Sequence, residues 1–169
     1  MLKAALIAAV LLLALAGGAE GGLSSCRLSI APGEGWSERT GQHTLTFVLT
    51  NRGTSACALD GYPRVELRDA KALLPFVIRH GGDQMLTNRA PTRVRFAPGR
   101  RAYVAVNKYR CDRGDKRRPT QLVLVPPGGG RRLSAPVTGW FFGWCGPGDP
   151  GSKVSVTPVE PTSRALSAR

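Results

Sequence analysis

Short runs of alternating apolar and polar residues, each cut off by glycine or proline, constrain this chain more than any other feature. The clearest is His43–Thr50 (HTLTFVLT), which puts Leu45, Phe47 and Leu49 on one face and threonines largely on the other. A period of two makes a strand whose one side is buried, and Asn51-Arg52-Gly53 ends it in a turn. After a second turn at Asp60-Gly61-Tyr62-Pro63, Arg64–Arg68 alternates with Val65 and Leu67 inward. Leu73–Arg79 reads as the next strand, Pro75 marking it as an edge or a bend. Arg93–Phe96 alternates again, and Pro98-Gly99 turns the chain into Arg101–Lys108, where Ala102, Val104 and Val106 share a face. Arg27–Ile30, Gln121–Val125 and Lys153–Thr157 complete the series. Gly81–Ala90 reads as a polar loop, the stretch from Val137 carries no clear pattern, and the residues after Pro158 form a short polar tail without a packing face.

With 21 glycines and 13 prolines among 169 residues, only 7% aromatics and no long helical pattern in the mature chain, a helical bundle is excluded. The length supports one core rather than two full-sized ones. The expected fold is therefore all-β, an antiparallel β-sandwich of seven or eight strands, with no internal repeat.

Ahead of the strands, Lys3 and the apolar run Ala4–Leu15 have the shape of an export signal. The run is shorter than the ~20 residues a bilayer span needs. Ala14-Leu15-Ala16 fits cleavage after residue 16, and Gly17-Gly18-Ala19 would move it to 19. The organisation expected is a signal at 1–16, a short linker at 17–25, the sandwich at 26–158 and a polar tail at 159–169. Leu23-Ser24-Ser25-Cys26 loosely resembles a lipidation box, but Gly17–Gly22 separates it from the apolar run. Cys26, Cys57, Cys111 and Cys145 all follow the signal, and in an oxidising compartment two disulfides are the default. Three pairings are open; Cys26–Cys57 with Cys111–Cys145 is preferred, since each would staple a neighbouring strand pair. Without a C-x-x-C or a nearby histidine, neither a metal nor a redox site is expected, and no cofactor.

The spacing Asn51-x-Gly53, then Cys57-x-Leu59-x-Gly61-Tyr62-Pro63-x-Val65-x-Leu67-x-Asp69, resembles a secreted bacterial family, the domain of unknown function numbered 4232. Ala97-Pro98-Gly99, Ala102, Cys111, Val125-Pro126-Pro127, Cys145 and Val154–Pro158 continue the likeness, from about Cys26 to Pro158. The resemblance implies an immunoglobulin-like β-sandwich, export and two disulfides, with no activity and no catalytic residues to carry over. It also makes Cys26 the domain's own first cysteine, which counts against lipid anchoring there. The strong positive charge and the short linker set this chain apart from such relatives.

Catalytic signatures are missing. His43 and His80 are the only histidines, no Gly-x-Ser-x-Gly occurs, and Asp60, Asp69, Asp112 and Asp115 read as turn residues or as offsets to nearby cations. Gly148-x-x-Gly151-Ser152-Lys153 lacks phosphate-loop spacing, and Arg113-Gly114-Asp115 is a chance tripeptide. An enzyme is not expected.

The informative signal is charge. Lys and Arg total 24 against 11 Asp and Glu, a net of +13. Ten of the cations lie between Arg93 and Arg118: Arg93, Arg95, Arg100, Arg101, Lys108, Arg110, Arg113, Lys116, Arg117 and Arg118. Such a segment attracts anionic surfaces in a salt-dependent way. The partners expected are an anionic envelope polymer or lipid surface, or another envelope protein reached through Gly81–Ala90 and Trp140–Trp144 with the charge incidental. Nucleic acid is not expected, because export removes it and few stacking aromatics interleave. Trp140-Phe141-Phe142-Gly143-Trp144 reads as packing over a disulfide rather than as an exposed platform.

Overall fold

The alternation at residues 43–50 becomes β3 (Gln42–Asn51), which runs antiparallel to β8 (Arg101–Tyr109) in register from Gln42 opposite Tyr109 to Thr50 opposite Arg101. The computed structural model describes residues 26–37, 41–82, 84–139 and 141–168. The expected signal at 1–16 and linker at 17–25 lie outside the described residues, as does Trp140. Around β3 and β8 a six-stranded sheet assembles from β1 (Leu28–Pro32), β2 (Trp36–Ser37), β6 (Val77–His80) and β11 (Lys153–Val156), in the order β1-β3-β8-β11-β6 with β2 also on β3. Three strands form a second sheet, β10-β9-β5: β10 is Leu133–Pro136, β9 Gln121–Val125 and β5 Arg64–Arg68. A third pairs β4 (Cys57–Leu59) with β7 (Val94–Phe96).

One core fills the space between these sheets. Leu45, Phe47 and Leu49 of β3 and Ala102, Val104 and Val106 of β8 meet Leu59, Val65, Leu67, Val94, Phe96, Leu122, Leu124, Leu133 and Ala135 from the smaller sheets. The result is an all-β sandwich, whose inward residues alternate with outward ones along each strand.

Two expectations on the strands need correcting. Among the described residues eleven strands replace the seven or eight expected, because β2, β4 and β10 span only two to four residues and were not read as strands. The sandwich is also not wholly antiparallel. From β5 the chain crosses through the Asp69–Pro75 bend to the far edge of the six-stranded sheet, where β6 lies parallel to β11. Pro75 cannot donate to a ladder, so this strand starts at Val77 rather than Leu73.

The residues after Pro158 do have a packing face. Val159 and Glu160 are buried, Glu160 exchanges backbone hydrogen bonds with Tyr103, and the 3-10 turn Ser163–Leu166 seats a fully buried Leu166 against Leu86 and Ala105. This small second cluster covers the outer side of β3 and β8. Thr44, Thr46 and Asn107, also on the face opposite the core, are buried as well. Thr44 Oγ1 donates to Asn107 Oδ1 at 2.7 Å, and Asn107 Nδ2 to Gln42 Oε1 at 2.8 Å.

Disulfides join Cys26 to Cys57 and Cys111 to Cys145. Neither staples a hydrogen-bonded strand pair. Cys26, just ahead of β1, ties the six-stranded sheet to β4 in the two-stranded one, whereas Cys111 and Cys145 lie in loops that close one end of the sandwich.

Candidate functional site

The cationic segment does not fold into one patch. β8 runs nine residues, so its ends are about 27 Å apart. Arg100 and Arg101 sit at its start, after the turn that leaves β7, while Arg110, Arg113, Lys116, Arg117 and Arg118 belong to the loop beyond its end. Arg93 and Arg95 are exposed on the outer side of β7, opposite the buried Val94 and Phe96.

Not all of these charges are free for a ligand. Arg117 donates from Nε and Nη2 to Asp69 Oδ2 at 2.8 and 2.6 Å, pinning the loop to the turn after β5. That carboxylate also accepts the backbone N–H groups of Ala72 and Lys71, and these bonds, with Arg117, hold its pKa down at about 2. Arg118 Nε donates to Asp115 Oδ2 at 2.8 Å. Backbone bonds between Lys116, Arg117 and Trp144 zip the loop onto the Cys145 segment. Lys108 is not on the surface at all, being 1% exposed. Its place was readable: it follows Ala102, Val104 and Val106 at the same spacing of two and so points inward.

Arg93, Arg95, Arg100, Arg101, Arg110, Arg113 and Lys116 remain, exposed and without a carboxylate within 4 Å among the described residues. At the start of β8 a cleft of about 730 Å³ runs between the outer face of the sheet and the C-terminal turn, lined by Arg101, Tyr103, Thr46 and Val48 and closed by Arg164 and Ser167. Arg164, which no local pattern marks, lines this cleft with Arg101, on the same 3-10 turn that docks Leu166. At the other end a smaller cleft, about 210 Å³, opens over Cys111 between Arg110 and Arg118, with His43, Phe141 and Asp115 in its walls.

The remaining candidates are engaged in local contacts. His43 is half-buried and stacks on Phe141 at 4.8 Å; burial first, then the charge of Lys108, lowers its pKa. His80 stacks on Tyr62 at 4.6 Å. Asp115 turns toward Cys111 Sγ and Arg118, so Arg113-Gly114-Asp115 does not present its carboxylate outward. Asp149 caps the Pro150–Ser152 turn instead of opening a phosphate loop. Phe142 is buried in the core, Trp144 is half-buried, and Trp140 lies outside the described residues. Among the described residues no group of three His, Cys, Asp or Glu could hold a metal, and no helix is long and apolar enough to cross a membrane.

No curated protein and no solved structure matches the chain. A family match does exist, over residues 24–160, to the family described as Domain of unknown function (DUF4232). Both disulfides, all eleven strands and the cationic loop beyond β8 lie within it, and on that span the chain belongs to this family.

Proposed function

We propose that this protein is an exported, non-enzymatic binding module that associates with anionic polymers of the cell envelope through its basic surface. The observation that carries the reading is the set of seven exposed cations between Arg93 and Lys116 that have no carboxylate partner among the described residues, on a chain of net charge +13. Because they divide between the two ends of β8, the ligand they suit is extended, a polyanion or a charged sheet of lipid, rather than a small anion. Disulfides that reinforce the sandwich suit an oxidising compartment. A contact made through loops is less favoured, since Leu86 and Phe142 are committed to packing.

Sedimentation of the oxidised protein with its own envelope fractions, and with phosphatidylglycerol vesicles, over a salt series tests this. Binding should weaken steeply between low and physiological salt. Exchanging Arg110, Arg113 and Lys116 for Gln, or Arg100 and Arg101 for Gln, should each weaken it, with Arg117 left in place because it holds Asp69. Binding that persists in salt and in both variants would transfer the function to an uncharged surface and a protein partner.

A further inference from the structure

Beside the Cys111–Cys145 disulfide the fold buries a positive charge. Lys108 Nζ lies 3.6 Å from Cys145 Sγ and 3.9 Å from Cys111 Sγ, over the ring of Phe142 at 5.9 Å, on a residue 1% exposed. An ammonium removed from water to face two sulfurs has little to stabilise while they are bonded to each other. It has much to stabilise once one of them is a thiolate.

The two sulfurs are also unequal. Cys111 is half-buried and lines the cleft between Arg110 and Arg118, whereas Cys145 is 3% exposed, backed by Gly151, where a Cβ would stand 2.5 Å from its sulfur. Asp115 Oδ1 lies 3.1 Å from Cys111 Sγ, held there by packing on Gly143, a position with no room for a side chain. Negative charge is therefore disfavoured on Cys111 and favoured on Cys145.

We propose that Cys111–Cys145 is a thiol-exchange site, opened by a dithiol reductant that attacks Cys111 and expels Cys145 as a thiolate held by Lys108. As the incoming thiolate bonds to Cys111 Sγ the Cys111–Cys145 bond breaks, and its electron pair leaves on Cys145. The reductant's second thiol, ionised in turn, attacks its own sulfur in the mixed disulfide and releases Cys111. Two electrons pass to the protein, the reductant becomes a cyclic or intramolecular disulfide, and its two protons balance the two cysteine sulfurs. The Arg110 side chain at the mouth, exposed and without a carboxylate partner among the described residues, draws in the anionic attacking form, while Arg118 offsets the Asp115 carboxylate. Cys26–Cys57 offers an internal reference, because there Cys26 Sγ lies against the Ala58 carbonyl at 3.7 Å rather than against an ammonium.

Limiting dithiothreitol on the oxidised full chain, quenched with iodoacetamide and mapped by peptide mass, tests the proposal. Cys111 and Cys145 should be alkylated about tenfold faster than Cys26 and Cys57. Per thiolate, the opening rate should fall above pH 8, where Lys108, whose pKa burial lowers to about 8, loses its proton. Lys108→Met should slow the opening about tenfold and abolish that fall, leaving the rate at Cys26–Cys57 unchanged. Equal or reversed order of reduction, a wild-type rate per thiolate that is flat across pH 8, or an opening rate indifferent to Lys108→Met would overturn it. Envelope binding is measured separately, so either idea can fail alone.

Discussion

Lys108 shows how one side chain links strand parity to stability. It occupies the last inward position of β8, where Val104 and Val106 are followed by an ammonium instead of a fourth apolar group. Desolvation is the largest influence on it and lowers its pKa from 10.5 to about 8, against the opposing fields of Asp115 and Asp149. Between those values the unfolded chain holds a proton that the folded one has released, so stability rises with pH through the window from about 8 to 10.5. Thermal melts across this range should show the rise in wild type, and Lys108→Met should remove it. At pH 7 the same variant should gain about 1 kcal/mol, since an apolar chain of similar shape no longer buries a charge; an unchanged or lower melting temperature would contradict this. Glu160 behaves with the opposite sign. Burial raises its pKa despite the field of Arg89, so its contribution is present in acid and lost as pH rises past the unfolded value of 4.5. Glu160→Gln should therefore raise the melting temperature at pH 7 and change little at pH 4.

At the scale of elements, the C-terminal segment is the clearest instance of packing overriding local pattern. A lone Leu166 among Thr162, Ser163, Arg164 and Ser167 has no periodicity to announce it. It is nonetheless fully buried against Leu86 and Ala105, and its 3-10 turn is capped by Thr162. Leu166→Ala should cost about 2 to 4 kcal/mol by denaturant unfolding, and should open the cleft that holds Arg101 and Arg164. A cost below 0.5 kcal/mol, of order a surface substitution, would mean that the tail is not docked in solution. β3, β5 and β8 were legible because each has several alternating residues with one face in the core. β2, β4 and β10 were not, since their few residues are held by neighbours rather than by a pattern of their own. The Asp69 turn belongs to this scale too. Its carboxylate, held at a pKa of about 2, loses its bonds as pH falls from 4 toward 2, so Asp69→Asn should flatten acid unfolding in that range while loosening Arg117.

For the molecule as a whole, the two disulfides divide the labour of holding a sandwich of three sheets. Cys26–Cys57 crosses between sheets over a separation of 31 residues, so replacing both cysteines with serine should cost about 3 to 4 kcal/mol on the loop-entropy model, read from urea midpoints. By itself the sequence determined the all-β class, the main strands with their inward residues, and the excess of positive charge, because each is set by neighbours along the chain. Periodicity of two chooses a buried face, glycine and proline place the turns, and charge is a plain count. Only the tertiary structure decided that the cationic segment divides between the two ends of β8, that Arg117 and Arg118 spend their charge on Asp69 and Asp115, and that Arg164 joins Arg101. It also decided that β6 lies parallel to β11, and that the inward-pointing Lys108 meets the Cys111–Cys145 disulfide. These are contacts between residues tens of positions apart, whose partners depend on how the sheets stack, and no local pattern carries that information.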